Sequence, residues 1–215
     1  MKSANHVLIT GEAGCDLDRL TRAIHAVSLR RARELVAISE LPGERAKQRE
    51  ILSRAKRSTL VIDLGAIEAP LDPAFCSMVF SPDYHVRVIA LASATNTARK
   101  LIPLEHLEQL QHLWVRPLAL RPGDISALLD RILEERGAAF RLGDLTRANR
   151  DALCAHEWRD NFNGLRLAAE RLVEISRVNG WEDMDWREKS AALGMAKTTL
   201  YDWFTGVGLT LPLFA

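Results

Sequence analysis

The chain has 215 residues, 47% of them apolar and 27% charged; a sequence of that size and mix buries a core, and disorder is excluded. Lysine and arginine number 29 against 28 acidic residues, so a uniformly basic nucleic-acid coat protein is excluded, though a local basic face is not. Three scattered cysteines (Cys15, Cys76, Cys154) form no CxxC pair, which excludes a disulfide framework or zinc knuckle and fits a reducing cytoplasm. The apolar run near the start is too short for a signal peptide, and no run approaches the roughly 18 apolar residues of a membrane span, so no membrane partner is expected. Charge is uneven along the chain. Residues 1–57 carry twelve basic side chains against seven acidic, and residues 178–209 carry three against five.

In chain order, the apolar run HVLIT at 6–10 reads as a buried strand that stops at Gly11. Leu20, Ala23, Ile24 and Val27 then recur at helical spacing. Further strands are expected at 35–39, 59–63 and 86–92, with a fifth at 113–115 before Pro117. Continuous apolar strands separated by helices imply a parallel sheet covered on both faces, an α/β domain. After Arg121 the strand signals cease. Ile125, Leu128, Leu129, Ile132 and Leu133 make an amphipathic helix, with Asp124 expected as its N-cap. Leu165, Ala168, Ala169, Leu172 and Ile175 mark a second helix that Asn179-Gly180 ends. Boundaries are expected near 117–123 and 179–181.

A strand, a glycine-bearing turn and an amphipathic helix are the setting of a phosphate-binding loop. The working loop, GxxxxGK[ST], needs glycines so that backbone N–H groups close on phosphate, a lysine for the terminal phosphates and a hydroxyl for magnesium. Here Gly11 and Gly14 are followed by Asp16 at the second glycine position, Leu17 at the lysine and Asp18 at the hydroxyl. Two carboxylates at a helix N-terminus are expected to cap it themselves and to repel a triphosphate. Asp63, closing the third strand, stands where a magnesium-holding carboxylate belongs but has no phosphate site to serve. The expectation is a vestigial nucleotide site with no cofactor.

These motifs together resemble the bacterial enhancer-binding proteins, AAA+ activators acting on the alternative sigma factor of nitrogen regulation. GEAGCDLDRLTRAIH at 11–25 is similar to their GESGTGKELLARAIH. The segment at 51–67 keeps Thr59, Leu60, Asp63 and Ile67 of their strand "GTLFLDEI", and the segment at 86–101 keeps Arg87, Thr95 and Asn96 of the sensor region. Pro117, Leu118, Arg121, Asp124 and Ile125 match the following linker and helix, and Trp158, Asn161 and Leu165 match "YPWPGNVRELENVIERA". The departures bear on chemistry. Leu17 replaces the lysine, Leu64 replaces the acid after Asp63, and Asn163 replaces the sensor arginine. About 19 residues (40–58) join the second and third strands, with no room for the family's GAFTGA loop. The family's ATP-driven promoter remodelling is therefore not expected.

Residues 186–204 fit a helix-turn-helix. Ser190 lies four before the turn Gly194, and Leu193, Met195, Leu200 and Trp203 are spaced to plug the two helices together. The segment resembles the Fis-type DNA-binding unit of the same activators. The resemblance places Lys197, Thr198, Thr199, Tyr201 and Asp202 at the exposed start of a recognition helix, with Arg187, Lys189 and Lys197 expected to touch phosphates. Such a unit reads one half-site, so a homodimer or higher homo-oligomer is expected, and Arg166, Glu170, Arg171, Glu174 and Arg177 mark one candidate dimer face. The six histidines show no metal spacing, and Cys15 at a helix N-terminus is opposed as a reactive thiol by its neighbouring carboxylates.

The expected architecture is α/β: a degenerate AAA+-like parallel sheet (1–120), a helical lid (121–180) and a small all-α helix-turn-helix unit (181–215). The expected function is a non-enzymatic, cytoplasmic regulator of transcription that binds double-stranded DNA, with RNA polymerase or another regulator as further partners. A module that binds an active AAA+ or transcription partner is the alternative, and weak ATP use through unusual contacts a third.

Overall fold

The computed structural model describes residues 5–215; the first four residues of the expected first domain lie outside the described residues. The chain divides into two compact units, residues 1–116 and 117–215.

In the first unit, β1 (Val7–Thr10), β2 (Val36–Ile38), β3 (Thr59–Asp63), β4 (Arg87–Ala92) and β5 (Gln111–Trp114) form one parallel sheet in the order β2-β3-β4-β1-β5. Ile9 pairs with Leu91, and Val61 with Ile89. Every residue of β1 and β4 is buried, as in strands covered on both faces. One face packs Leu60, Ile62 and Val88 against Leu52 and Phe75, and the other gathers Ile9, Val61 and Ile89. The first four strands fall where their apolar runs place them. β5 starts two residues before the expected Leu113. It is an edge strand held by backbone pairing to β1, and all four of its side chains are exposed.

Among the described residues, five helices accompany this sheet: α1 (Leu17–Ala26), α2 (Arg45–Ala55), α3 (Pro73–Phe80), α4 (Thr95–Leu101) and α5 (Leu104–Leu107). The inner face of α1 differs from the expected stripe. Thr21 and His25 are buried, whereas Ala23 is exposed and Val27, past the helix end, is 66% exposed. His25 takes the inner place because both ring nitrogens are satisfied, by the Thr59 hydroxyl and the Arg33 carbonyl, each at 2.9 Å. α3 starts cleanly, with Pro73 in its first turn and Asp72 Oδ1 accepting from the Ala74 amide at 2.9 Å.

The second unit is all-helical: α6 (Ile125–Glu135), α7 (Arg147–Ala155), α8 (Asn161–Ser176), α9 (Trp186–Ala192) and α10 (Lys197–Val207). The segments expected as lid and helix-turn-helix share one core here. Leu129 and Leu133 of α6, Leu153 of α7, Leu165 and Leu172 of α8, and Leu200 and Phe204 of α10 belong to a single cluster. Asp124 does not cap α6 through its side chain; the residue is itself helical and closes a 3-10 turn, and its carboxylate faces Arg121 at 3.7 Å. α8 begins four residues before the first expected inner residue, at buried Asn161, which has a left-handed backbone (φ 50°) and whose Oδ1 accepts from the Leu118 amide at 2.9 Å.

Candidate functional site

The carboxyl ends of adjacent parallel strands are where α/β sheets usually hold ligands. At the ends of β1, β3 and β4 lies a cleft of about 280 Å³. Gly11, Gly14, Asp16, Leu17, Asp18 and Asp63 all line it, so the structure brings together the first-unit residues that the sequence places at the loop. Gly14 and Asp16 both have left-handed backbones (φ 78° and 57°). Asp16 does not cap α1 through its side chain, and the Asp18 carboxylate is engaged by Arg22 at 2.8 Å; the expected self-capping is thus corrected. Leu17 packs beside the β1–β3–β4 core. A Cβ added to Gly11 would stand 2.9 Å from Leu17 Cδ2, so the leucine is folded against the loop. Asp63 Oδ1 accepts from the Gly65 amide at 3.0 Å, closing a local turn. Leu64 is buried on the opposite side of the strand.

These residues do not fit a nucleotide triphosphate with magnesium. Four carboxylates (Glu12, Asp16, Asp18, Asp63) line the cleft without a lysine or arginine among them, and burying anionic phosphates beside like charges is costly. Asn163 belongs to the first turn of α8 in the second unit. Among the described residues no group of three or more His, Cys, Asp or Glu side chains is arranged to hold a metal. Cys15 and Cys76 are buried; burial pushes the Cys76 thiol up to about 11 and raises that of Cys154.

The helix pair of the second unit is built by local signals. Asp185 accepts from the Arg187 and Glu188 amides at 2.6 and 2.9 Å, and Glu188 accepts from the Asp185 amide at 2.8 Å, a reciprocal capping box that starts α9. Those two amides hold the Asp185 carboxyl below its usual range. The turn that ends α9 is a Schellman motif. Gly194 (φ 63°) donates to the Ala191 carbonyl at 3.1 Å and Met195 to that of Ser190 at 3.0 Å. The φ of Gly194 explains why a glycine stands there. α10 then starts without a side-chain cap.

Lys197, Thr198, Thr199, Tyr201 and Asp202 are all exposed on α10, and Arg187 is exposed on α9. Tyr201 packs its ring edge-on against Trp186 at 5.1 Å while remaining 46% exposed. Lys189 is the correction. Its side chain is 1% exposed, donates to the Met184 carbonyl and lies over the Trp181 and Trp186 rings at 5.5 and 6.0 Å. A lysine held in that aromatic cage stabilises the hairpin and is withdrawn from any phosphate. The proposed dimer face is also partly spent inside the unit: Glu170 pairs with Arg136, and Arg171 lies over the Trp203 ring at 4.9 Å.

Sequence reasoning missed Asn149. It is fully buried in α7 and binds the backbone of the residues after α10. A lone asparagine in a polar helix carries no pattern that flags it. No helix among the described residues is long and apolar enough to cross a membrane.

No protein-family model matches the sequence, and no curated protein matches it either. Among solved structures, the chain is similar to NtrX from Brucella abortus, at 18% identity and a TM-score of 0.63 over 96% of this chain. It is also similar to the same protein in complex with ATP, at 18% identity and a TM-score of 0.58 over 97% of this chain. In both cases the match spans 65% of the NtrX chain, just under two thirds of its length. The RuvB Holliday junction branch migration motor of Thermotoga maritima matches at 12% identity, with a TM-score of 0.50 over 98% of this chain and 84% of its own. The five-stranded parallel sheet with its surrounding helices matches AAA+ P-loop NTPase folds.

Proposed function

We propose that this protein is a sequence-specific DNA-binding regulator of transcription whose AAA+-like unit does not hydrolyse ATP. The observation that carries the reading is the helix pair α9–α10. A capping box and a Schellman turn fix it, and it presents Lys197, Thr198, Thr199 and Tyr201 to solvent from the start of the second helix. Helices of this arrangement place such residues against base edges in the major groove. Thr198 and Thr199 supply hydroxyls for bases or phosphates, Tyr201 a ring and hydroxyl, and Arg187 and Lys197 charge for the backbone. With a carboxylate-lined cleft in place of a nucleotide site, the mechanism is occupancy. A cytoplasmic homodimer sits on an operator and blocks or recruits polymerase.

The test is selection of bound fragments from the host's genomic DNA at low and physiological salt, repeated with Thr198→Ala/Thr199→Ala/Tyr201→Phe. The expected result is a palindromic motif that survives physiological salt and is lost in the variant. Binding without any motif would overturn the reading. Calorimetry with ATP and magnesium tests the other half; micromolar binding would overturn the account of the cleft.

A second reading is a module that binds an active AAA+ or transcription partner. The edge strand β5 favours it, since Leu113 and Trp114 are exposed there beside unpaired backbone. It expects a stable complex with such a partner and no sequence-specific DNA binding.

A further inference from the structure

The end of the sheet opposite the carboxylate-lined cleft carries the excess positive charge of the first unit. Three segments converge there: the loop after α1, the end of α2 and the turn before β4. Hydrogen bonds tie them together. Arg30 donates to the His85 carbonyl at 3.2 Å, the Arg57 amide to the Tyr84 carbonyl at 3.4 Å, and the Ser58 hydroxyl to the Glu34 carbonyl. Arg87, the first residue of β4, donates to the Asn5 carbonyl at 3.1 Å. The leading ends of β2, β3, β4 and β1 stand side by side in that order. At about 4.8 Å per strand they span roughly 14 Å.

Seven cations gather along this row. Arg30, Arg31 and Arg33 come from the first segment, Arg54, Lys56 and Arg57 from the second, and Arg87 from β4. Two carboxylates accompany them, Glu34 and Asp83, and Glu34 already faces Arg54 at 3.7 Å. The C-termini of α1, α2 and α3 end here too, at about half a negative charge each, which is too little to balance the row. The local field registers on its buried members: His6 is held below its ordinary value by burial, then by Arg30 and Arg87, and Arg87 is lowered by burial and by Arg30. Arg57 and His85 also hold left-handed backbones (φ 60° and 52°) that turn the chain at this edge. Arg31, Arg33 and Arg57 are exposed.

We propose that this arginine row is a second DNA contact, binding the phosphate backbone of duplex DNA without reading sequence. The proposal rests on the DNA-binding reading above, and it answers a deficit in it. Residues 178–209, which hold the recognition helix, carry five acids against three bases, and one of those bases is the buried Lys189. DNA affinity needs phosphate neutralisation from elsewhere in the chain. The exposed guanidinium groups of Arg31, Arg33 and Arg57 suit a repeating phosphate polymer, since a guanidinium takes one phosphate in a forked pair of hydrogen bonds.

The test uses the full chain with a duplex carrying the selected motif and a scrambled duplex of equal length, titrated over a range of salt. Arg31→Gln/Arg33→Gln/Arg57→Gln is expected to lower the slope of log affinity against log salt by about 2–3, at about 0.9 per lost phosphate contact, on both duplexes. It should leave the preference between them unchanged. Arg22→Gln/Arg131→Gln, which removes exposed arginines elsewhere, should leave the slope unchanged. An unaltered slope in the triple variant overturns the proposal while the α10 reading stands. A triple variant that loses its slope beside a Thr198→Ala/Thr199→Ala variant that keeps its sequence preference sustains the row and sinks the α10 reading. Competition by polyglutamate as strong as by DNA of equal charge would overturn the proposal in favour of an acidic protein segment.

Discussion

Asn149 and Thr210 bind each other as two strand residues would. The Asn149 Oδ1 accepts from the Thr210 amide at 2.7 Å, and its Nδ2 donates to the Thr210 carbonyl at 2.9 Å. The same Nδ2 lies 3.1 and 3.2 Å from the Pro212 and Leu213 carbonyls. One buried carboxamide thus fastens the segment after α10 onto α7, and Leu213 completes the closure by donating to Glu182 Oε1 at 2.9 Å. Asn149→Ala would strip buried backbone groups of their partner, at about 1–3 kcal/mol for each group left unsatisfied. We expect a loss of about 2–4 kcal/mol in urea denaturation. A loss under about 1 kcal/mol would mean that the segment is held by its apolar contacts alone.

Lys189 separates packing from DNA contact. Lys189→Met keeps the length of the side chain between Trp181 and Trp186 but removes the charge. DNA affinity and its salt slope are expected to stay within twofold of the wild type. Lys197→Gln, at an exposed site, should instead reduce the slope by about 0.9. Equal slopes lost in both variants would place Lys189 on the DNA and refute its burial.

A lysine at position 17 should not by itself give the cleft affinity for ATP. In Leu17→Lys a charged side chain replaces one that packs beside the core of β1, β3 and β4, at about 1–2 kcal/mol of lost apolar burial. Glu12, Asp16, Asp18 and Asp63 remain around the cleft. Calorimetry is expected to show no ATP binding by this variant, and micromolar binding would show that the missing lysine alone silences the cleft.

Much of the sheet was legible because β1, β3 and β4 are buried on both faces, and burial of that kind demands unbroken apolar runs. β5 was misplaced by two residues for the opposite reason: Gln111 to Trp114 are exposed, and what defines them is backbone pairing with β1 and the 2.7 Å hydrogen bond between His112 Nε2 and the Thr10 hydroxyl. α2 left no apolar stripe to read, since polar Gln48 takes a buried place beside Leu52 and Ala55. The turn between α9 and α10 was readable from Gly194, whose positive φ is a local demand. The burial of Lys189 was not, because its cage is assembled from Trp181 and Trp186 on either side of a turn. The residues retained from the resembled family include several that build the second unit: Asn161 holds Leu118, and Trp158 donates to the Leu153 carbonyl at 3.0 Å. Leu17 and Leu64, where the first unit departs from that family, stand at positions the resemblance assigns to nucleotide chemistry.

Asp185 makes the hairpin sensitive to acid. Its carboxylate accepts from the Glu188 and Arg187 amides, and these bonds lower its folded value below that of the unfolded chain, ordinarily about 3.9. A carboxyl with a depressed folded value binds more protons when unfolded. Its contribution to stability is therefore complete above the unfolded value and fades as pH falls through the folded one. The cap should hold unchanged from pH 7 to about 5 and weaken below about 4. Asp185→Asn keeps an acceptor for the helix amides but removes the charge, and asparagine caps nearly as well as aspartate. Melting temperatures of the two proteins, measured from pH 7 to pH 3, are expected to draw together as pH falls below about 4. The wild type should exceed the variant by its largest margin above pH 5. A margin that stays constant across the range would show that the carboxylate's charge plays no part in starting α9.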